Sequence, residues 1–400
     1  MKKYILIILC CLTSFPLWSY NVNMIVEHYS VDQGLPNNTV NCTLKDRDGF
    51  IWFGTWYGLC CFDGVKFKTF NKQEHDSDVP PRKIQRIVED KNGYIWVKTI
   101  DRKLYVFNKV TECFHAVYDD MKNYSENIQV IKLQNTAEGD VLLLTKDKNL
   151  LLAGVDEKGQ VTIKILFDSR DEINKHDYTL KHHVLCETEE YISWIGTDYK
   201  VSAVHKGAEL ASRPADFITS KINSGDKDSF TSFFEDGRKV WVGDRAGIFY
   251  SIDVRTGLVN RYVLSEIKGA ISNLLVTPAG YVYLSVAGQG TYEYDLAERR
   301  LQKINTEMND AMVTHAFIDQ YDKIWFHENE KALIYYDPLN HTAKRFPFTM
   351  FGKITTLYSE DAGERGLFFL SPAGEAWLFD REHVEMVYIN KLKQLGLSCR

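Results

Sequence analysis

Short apolar runs recur along the chain, four to six residues each, and every run is closed by turn residues. One segment sets the pattern. Val40 to Leu44 is followed by Asp46-Arg-Asp-Gly49, then by Ile51-Trp52-Phe53-Gly54-Thr55, then by Gly58-Leu59 and Phe62-Asp63-Gly64. A second copy runs from Ile87 through Asp90, Gly93, Ile95-Trp96-Val97 and Thr99 to Leu104 and Phe107-Asn108. Weaker copies centre on Leu142, Trp194, Trp241, Tyr283, Trp325 and Phe368. With these positions taken as equivalent to Trp52 and Trp96, the gaps run from 42 to 52 residues and average about 45. That is the length of a four-stranded propeller blade. Helical solenoids share such periods, so local chemistry has to decide.

The local chemistry is that of strands. Asp at the first place and Gly at the fourth, as in Asp46/Gly49 and Asp90/Gly93, mark a type I turn, with Thr277/Gly280 a near relative. The run after that turn (Ile51 to Thr55, Leu142 to Thr145, Leu367 to Leu370) lacks strict alternation, as expected of strands buried on both faces. A third run ends in an apolar residue and Asp: Phe62-Asp63, Ile252-Asp253, Tyr294-Asp295, Tyr336-Asp337 and Phe379-Asp380. A fourth, such as Lys66 to Phe70 or Lys344 to Phe346, is polar and aromatic and suits an outer edge. The repeat therefore predicts an all-β fold, a β-propeller of four-stranded antiparallel blades. Trp52, Trp96, Trp194, Trp241 and Trp325 are expected to be structural residues, since each buried indole removes roughly 150–250 Å² from water.

Composition narrows the function. Of 400 residues, 44% are hydrophobic and 13% aromatic, which excludes wholesale disorder. Lys and Arg number 48 against 54 Asp and Glu, with both signs interspersed along the chain, so no basic block serves a nucleic acid. Lys2-Lys3, the apolar stretch from Tyr4 to Leu12 and Leu17-Trp18-Ser19 read as a secretory signal over residues 1–19. No later stretch is apolar for long enough to span a bilayer. Cys42, Cys60, Cys61, Cys113, Cys186 and Cys399 follow neither a C-x-x-C nor a zinc spacing and read as small apolar residues.

The segment from Gly49 to Leu59, with Phe62-Asp63-Gly64 after it, resembles the two-component regulator propeller repeat. The opening from His28 to Asn38 is similar to the N-terminal start of hybrid two-component sensors of gut bacteria that degrade polysaccharides. The resemblance covers roughly residues 25–385. It implies a periplasmic region of two seven-bladed propellers and a β-sandwich, then a membrane helix, a histidine kinase and a DNA-binding response regulator. It further implies a sensor of glycan-derived oligosaccharides, anchored in the inner membrane, that switches on polysaccharide-utilisation genes.

On that reading, residues 20–350 form a propeller of seven repeat units. Residues 351–390 are an eighth unit that starts a second propeller (the alternative is an eight-bladed ring), and 391–400 are a tail. Ile25 to Tyr29 is expected to be an outer strand that closes the ring. The chain is expected to be non-enzymatic and without cofactor, since the kinase and DNA-binding parts lie outside it. Its expected partners are an oligosaccharide ligand, the second propeller and the sandwich, with dimerisation through the missing regions.

Ligands of propellers sit over the turns between second and third strands. Here those turns carry Trp56-Tyr57, Asp101-Arg102, Asp198-Tyr199, Asp244-Arg245 and Gly288-Gln289. The first four pairs are the candidate ligand-binding residues, with the Trp56-Tyr57 pair able to stack on a sugar ring and the charged groups able to take its hydroxyls. A secreted propeller hydrolase or lyase and a protein-binding scaffold are the competing readings. No G-x-S-x-G, H-E-x-x-H or P-loop occurs, no metal spacing links His182-His183 to other ligands, and the S-x-D-x-G-x-x-W box of sialidases is not matched.

Overall fold

The computed structural model describes residues 29–70, 80–121, 129–146, 149–167, 185–188, 190–195, 200–207, 217–221, 230–304, 313–328, 331–351, 358–361, 367–370 and 375–391. The expected secretory signal, the strand expected at Ile25 up to His28, His182-His183, Asp198-Tyr199 and Cys399 lie outside these residues. So do the side chains of Trp194 and Cys186.

Each repeat forms one four-stranded antiparallel sheet with its strands in chain order, eight sheets in all. In the first, Val40–Lys45, Ile51–Thr55, Gly58–Phe62 and Phe67–Phe70 follow one another. The described residues fall into two compact units, 29–345 and 346–391. Within the first unit, first strands of consecutive sheets lie against one another, Val40–Lys45 on Ile84–Glu89 and Phe230–Glu235 on Ile271–Val276. These are the blades of a propeller. Apart from short 3₁₀ turns, one helical turn, Tyr118–Met121, interrupts the strands among the described residues, and no described helix is long and apolar enough to cross a membrane.

The cores lie between blades. Trp52 packs with Ile84, Ile87 and Phe107 of the second blade. Trp96 packs with Leu133, Leu143 and Leu151 of the third, and Trp241 with Leu274, Leu284 and Tyr292 of the sixth. Second strands such as Ile95–Thr99 and Val141–Thr145 are consequently buried along their whole length, as continuous apolar runs require. Side chains of the first strands tie neighbouring blades at their inner edge. Asn41 donates to the Ile84 carbonyl at 2.7 Å, Thr231 to Ile271 at 2.7 Å and Ser272 to Val313 at 3.1 Å.

The aspartate of the first turn does two jobs. Its Oδ1 accepts amides of the turn: Asp48 and Phe50 on Asp46, Asn92 and Tyr94 on Asp90, Arg238 and Lys239 on Asp236, Tyr321 and Lys323 on Asp319. Its Oδ2 accepts the indole N–H six residues on, or five in blade five. The distances are 2.8 Å for Trp52, 2.9 Å for Trp96, 2.7 Å for Trp241 and 3.3 Å for Trp325. Where Thr replaces Asp, as in Thr136 and Thr277, its Oγ1 still accepts a turn amide but no second acceptor is left. The indole is replaced in those blades by Leu142 and by Tyr283, whose hydroxyl donates to Glu293 instead. At the other end of third strands an Asp or Asn accepts the amides of the next turn, as with Asp63, Asn108, Asp253 and Asp295, while His205 takes that place in blade four.

A lysine latch joins blades one and two. Lys109 Nζ lies 3.1 Å from Asp46 and 2.8 Å from Asp48 of blade one, and 2.8 Å from Glu89 of its own blade. The same arrangement recurs two blades on, where Lys206 meets Glu138 at 2.8 Å and Glu187 at 2.6 Å. Burial works against the Lys109 ammonium, but hydrogen bonds to Asp48, Glu89 and Asp46 outweigh it and raise its pKa. Burial likewise opposes the Asp46 carboxylate, which Trp52 and Lys109 nevertheless hold below the ordinary value.

In residues 346–391, Leu367, Phe369, Ala376, Trp377 and Phe379 are buried, and Phe351 meets Trp377 edge-on with ring centroids 4.8 Å apart. Phe368, the expected counterpart of the indoles, is only half-buried, and its neighbour Phe369 is the interior ring. In the eighth sheet the second strand, Leu367–Leu370, pairs with the third so that Phe368 lies opposite Leu378 and Phe369 opposite Trp377. Cys60 is buried, and desolvation pushes its thiol up to about 12; Cys42, Cys61 and Cys113 are free and half-buried.

Two outcomes follow from the turn and the latch. Asp90→Thr alone orphans a buried indole N–H and is expected to cost about 1–3 kcal/mol. Combined with Trp96→Leu, the pair blade three uses, it is expected to cost less than the sum of the single changes by at least about 0.5 kcal/mol. Strict additivity in urea denaturation refutes the coupling. Lys109→Met leaves three carboxylates facing one another and is expected to cost about 3 kcal/mol. Since the ammonium's pKa is raised, its contribution is complete below about pH 10 and lost as pH rises through the folded value. Wild type and variant are therefore expected to converge in stability at strongly alkaline pH, and a constant difference there sinks the assignment.

Candidate functional site

The turn between the second and third strands of blade one is fixed from within. Thr55 Oγ1 donates to the Gly58 carbonyl at 2.9 Å and accepts the Tyr57 amide at 3.1 Å. The two residues between, Trp56 and Tyr57, are thereby pushed outward and are 38% and 65% exposed. Large aromatic side chains held in solvent by a rigid turn lose burial energy and gain nothing for the fold. Two main-chain bonds anchor the turn: Trp56 N to the Thr39 carbonyl at 3.3 Å and Lys83 N to the Trp56 carbonyl at 2.9 Å. Lys83 Nζ lies over the Trp56 ring, 5.2 Å from its centroid, in cation–π geometry.

The equivalent turn of blade two sits beside it. Ile100 N donates to the Lys83 carbonyl at 2.9 Å, and Val130 N of blade three donates to the Arg102 carbonyl at 3.0 Å. Main-chain bonds therefore link the ends of blades one, two and three. Asp101 Oδ1 accepts the Thr99 hydroxyl at 2.5 Å, and its other oxygen lies 3.6 Å from Lys103. Desolvation pushes the Asp101 carboxyl up, and Thr99 and Lys103 more than offset this, leaving it below the ordinary value. Arg102 is half-buried and takes part in no ion pair.

The structure thus brings Trp56, Tyr57, Asp101 and Arg102 to one end of adjacent blades. Asp244 and Arg245 occupy the matching turn of blade five and share no hydrogen bond or ion pair with that group. Asp244 departs from its expected role. It is 2% exposed, and its Oδ1 accepts Ala246 N at 2.9 Å and Ile248 N at 2.8 Å. It shapes the turn, as Thr55 and Thr99 do in their blades, and desolvation raises its pKa. Arg245 remains exposed. Lys83, missed in the sequence because the link between blades has no motif, is the residue that joins the two turns.

Asp46, Asp48 and Glu89 place carboxylate oxygens within 4.8 Å of one another, as cation ligands do, but the Lys109 ammonium already stands among them.

A family model described as two component regulator propeller matches residues 34–57, which end on Tyr57. No curated protein matches the chain. Among solved structures, the chain is similar to the extracellular domain of a hybrid two component system from B. thetaiotaomicron, at 14% identity and TM-score 0.40, over 91% of this chain and 62% of that one. A second such domain from the same organism gives 16% identity and TM-score 0.37, over 92% and 49%. Virginiamycin B lyase from Staphylococcus aureus gives 10% identity and TM-score 0.41, over 75% and 93%. The chain therefore spans less than two thirds of the sensor domains it matches.

Proposed function

We propose that this chain is the ligand-binding propeller of an extracytoplasmic sensor and that it binds an oligosaccharide over the ends of blades one and two. The observation that carries the proposal is the exposed Trp56-Tyr57 pair, held on a preformed turn at the end of the segment that matches the regulator propeller model. A sugar ring presents C–H groups on its faces and hydroxyls on its rim. Exposed aromatic rings serve the faces, while Arg102 and Asp101 serve the rim. A few convergent polar groups beside apolar surface are what such sites use. Binding here would report to a kinase outside the described chain, through the second propeller and sandwich of a periplasmic region anchored in the inner membrane. The output would be control of polysaccharide-utilisation genes.

Calorimetry of the chain against a panel of oligosaccharides, with product analysis, tests this. Saturable heat without turnover is expected. The double variant Trp56→Ala/Tyr57→Ala is expected to weaken binding by about thirtyfold, the loss typical of an aromatic hot spot. Stability should shift by no more than about 1 kcal/mol, since both side chains are largely solvent-facing. Full affinity in that variant overturns the site, and turnover of the sugar overturns the sensor in favour of an enzyme.

A further inference from the structure

Blades one and five supply a reference for what each position needs structurally, and blade two departs from them in a consistent direction. Gly54 and Gly243 hold the same place in blades one and five, two residues after the indole, and neither tolerates a side chain. A Cβ on Gly54 would lie 2.4 Å from Cys42 Sγ and 2.6 Å from Ile84 Cγ2, and on Gly243 it would lie 2.4 Å from Ser232 Oγ and 2.7 Å from Ile271 Cγ2. Blade two has Lys98 there. Its cross-strand partner is Arg86, where blades one and five place Cys42 and Ser232.

Six residues after the indole, blades one and five have Gly58 and Gly247, at φ 133° and 83°. Blade two has Arg102 there, at φ 68°. Lys83, at the entry to the blade, is also left-handed, at φ 51°. A left-handed backbone is disfavoured for a side-chain-bearing residue, and sites that keep one are often functional.

Both glycine replacements add a positive charge, and both lie at the end of the blade that carries the candidate site. Lys98 is 5% exposed, and its Nζ donates to the neutral Gln85 Oε1. Desolvation and then the Arg102 charge lower its pKa. With Arg82, Lys83 and Arg86, blade two carries five cations here, and among the described residues none of them forms an ion pair, while Asp101 already has Lys103. The chain as a whole is acidic, with a net charge of −6. A buried ammonium with no counter-charge is costly for the fold, and the sister blades fold without one.

We infer that the ligand is an acidic oligosaccharide, whose carboxylate or sulfate groups are taken by Arg86, Lys98 and Arg102 while a ring of the same ligand lies against the Trp56-Tyr57 pair. The inference rests on the sugar-binding reading above and names the class of sugar. Charge-assisted hydrogen bonds from guanidinium and ammonium groups are the strong contacts for such oxyanions. They would also give the vacant cations the counter-charge that the protein does not supply.

The test compares tetragalacturonate, a sulfated heparin tetrasaccharide and neutral cellotetraose by calorimetry on the chain. One acidic sugar is expected to bind at least about tenfold more tightly than the neutral one, with affinity falling as salt rises. Which of the two binds identifies the oxyanion. The double reversion to the residues of blades one and five, Lys98→Gly/Arg102→Gly, is expected to weaken acidic-sugar binding about tenfold or more. It should leave the melting temperature unchanged or raised, a combination that a structural role for these cations would not give. Arg86→Gln, at an exposed residue with no partner, repeats the binding test without touching the fold.

Equal affinity for neutral and acidic sugars, unmoved by the reversion and by Arg86→Gln, overturns this inference and leaves the sugar-binding reading standing. An acidic-sugar affinity that falls in the reversion but not in Trp56→Ala/Tyr57→Ala overturns the role of the aromatic pair instead. Tighter binding of a single-stranded DNA oligonucleotide than of any sugar overturns both.

Discussion

An indole buried between two sheets carries one N–H that water can no longer reach, and in this protein a turn aspartate meets that need. The same carboxylate holds the turn with its other oxygen. Turn geometry, strand register and inter-blade packing are thus set by one residue. If the turn opens, the indole loses its acceptor; if the indole leaves the core, half of a buried carboxylate is unpaired. Each failure costs on the order of 1–3 kcal/mol, a large share of the stability of any single blade. Blades three and six, in which Thr stands for Asp, hold the turn through one hydroxyl and carry Leu142 and Tyr283 in the core, whereas blade four keeps Trp194 six residues after Thr188.

That coupling explains which parts of the fold can be read from the chain. The period, the D-x-x-G turn and the Trp are visible because in four blades the turn aspartate and the indole are bonded to each other. They place all eight sheets and the second strands that carry the indoles. The eighth repeat shows the limit. Leu367 to Leu370 lack the coupled pair, and although Phe368 keeps the register place of the indoles, opposite Leu378, the buried ring is Phe369. Contacts between blades were legible only in part. The Lys109 and Lys206 latches join residues about 20 to 70 positions apart by charge alone, and a lone lysine after a third strand carries no motif.

The candidate site was legible where a residue type was out of place for its environment. Two aromatic residues in a tight turn are such a case, and Trp56 and Tyr57 are indeed held in solvent. A charged residue in a turn is not, because turn acids serve the backbone as often as a ligand. Asp244 is spent on its own turn's amides, whereas Asp101 leaves that task to Thr99. The distinction depends on whether the strand ends in a hydroxyl residue that can hold the turn, as it does at Thr55 and Thr99 and does not in blade five.

The basic end of blade two escaped composition for a different reason. Its cations are spread from Arg82 to Arg102 among apolar strand residues, and only the hairpin brings Arg86 opposite Lys98. What marks them is departure from the repeat. Lys98 stands where glycine gives room to the next blade, and Arg102 stands where glycine relieves the turn. In a repeat protein every copy answers the same packing problem, so a copy that buries an ammonium where blades one and five keep glycine is answering a second requirement. Here both departures add positive charge at one end of one blade, beside the exposed aromatic pair.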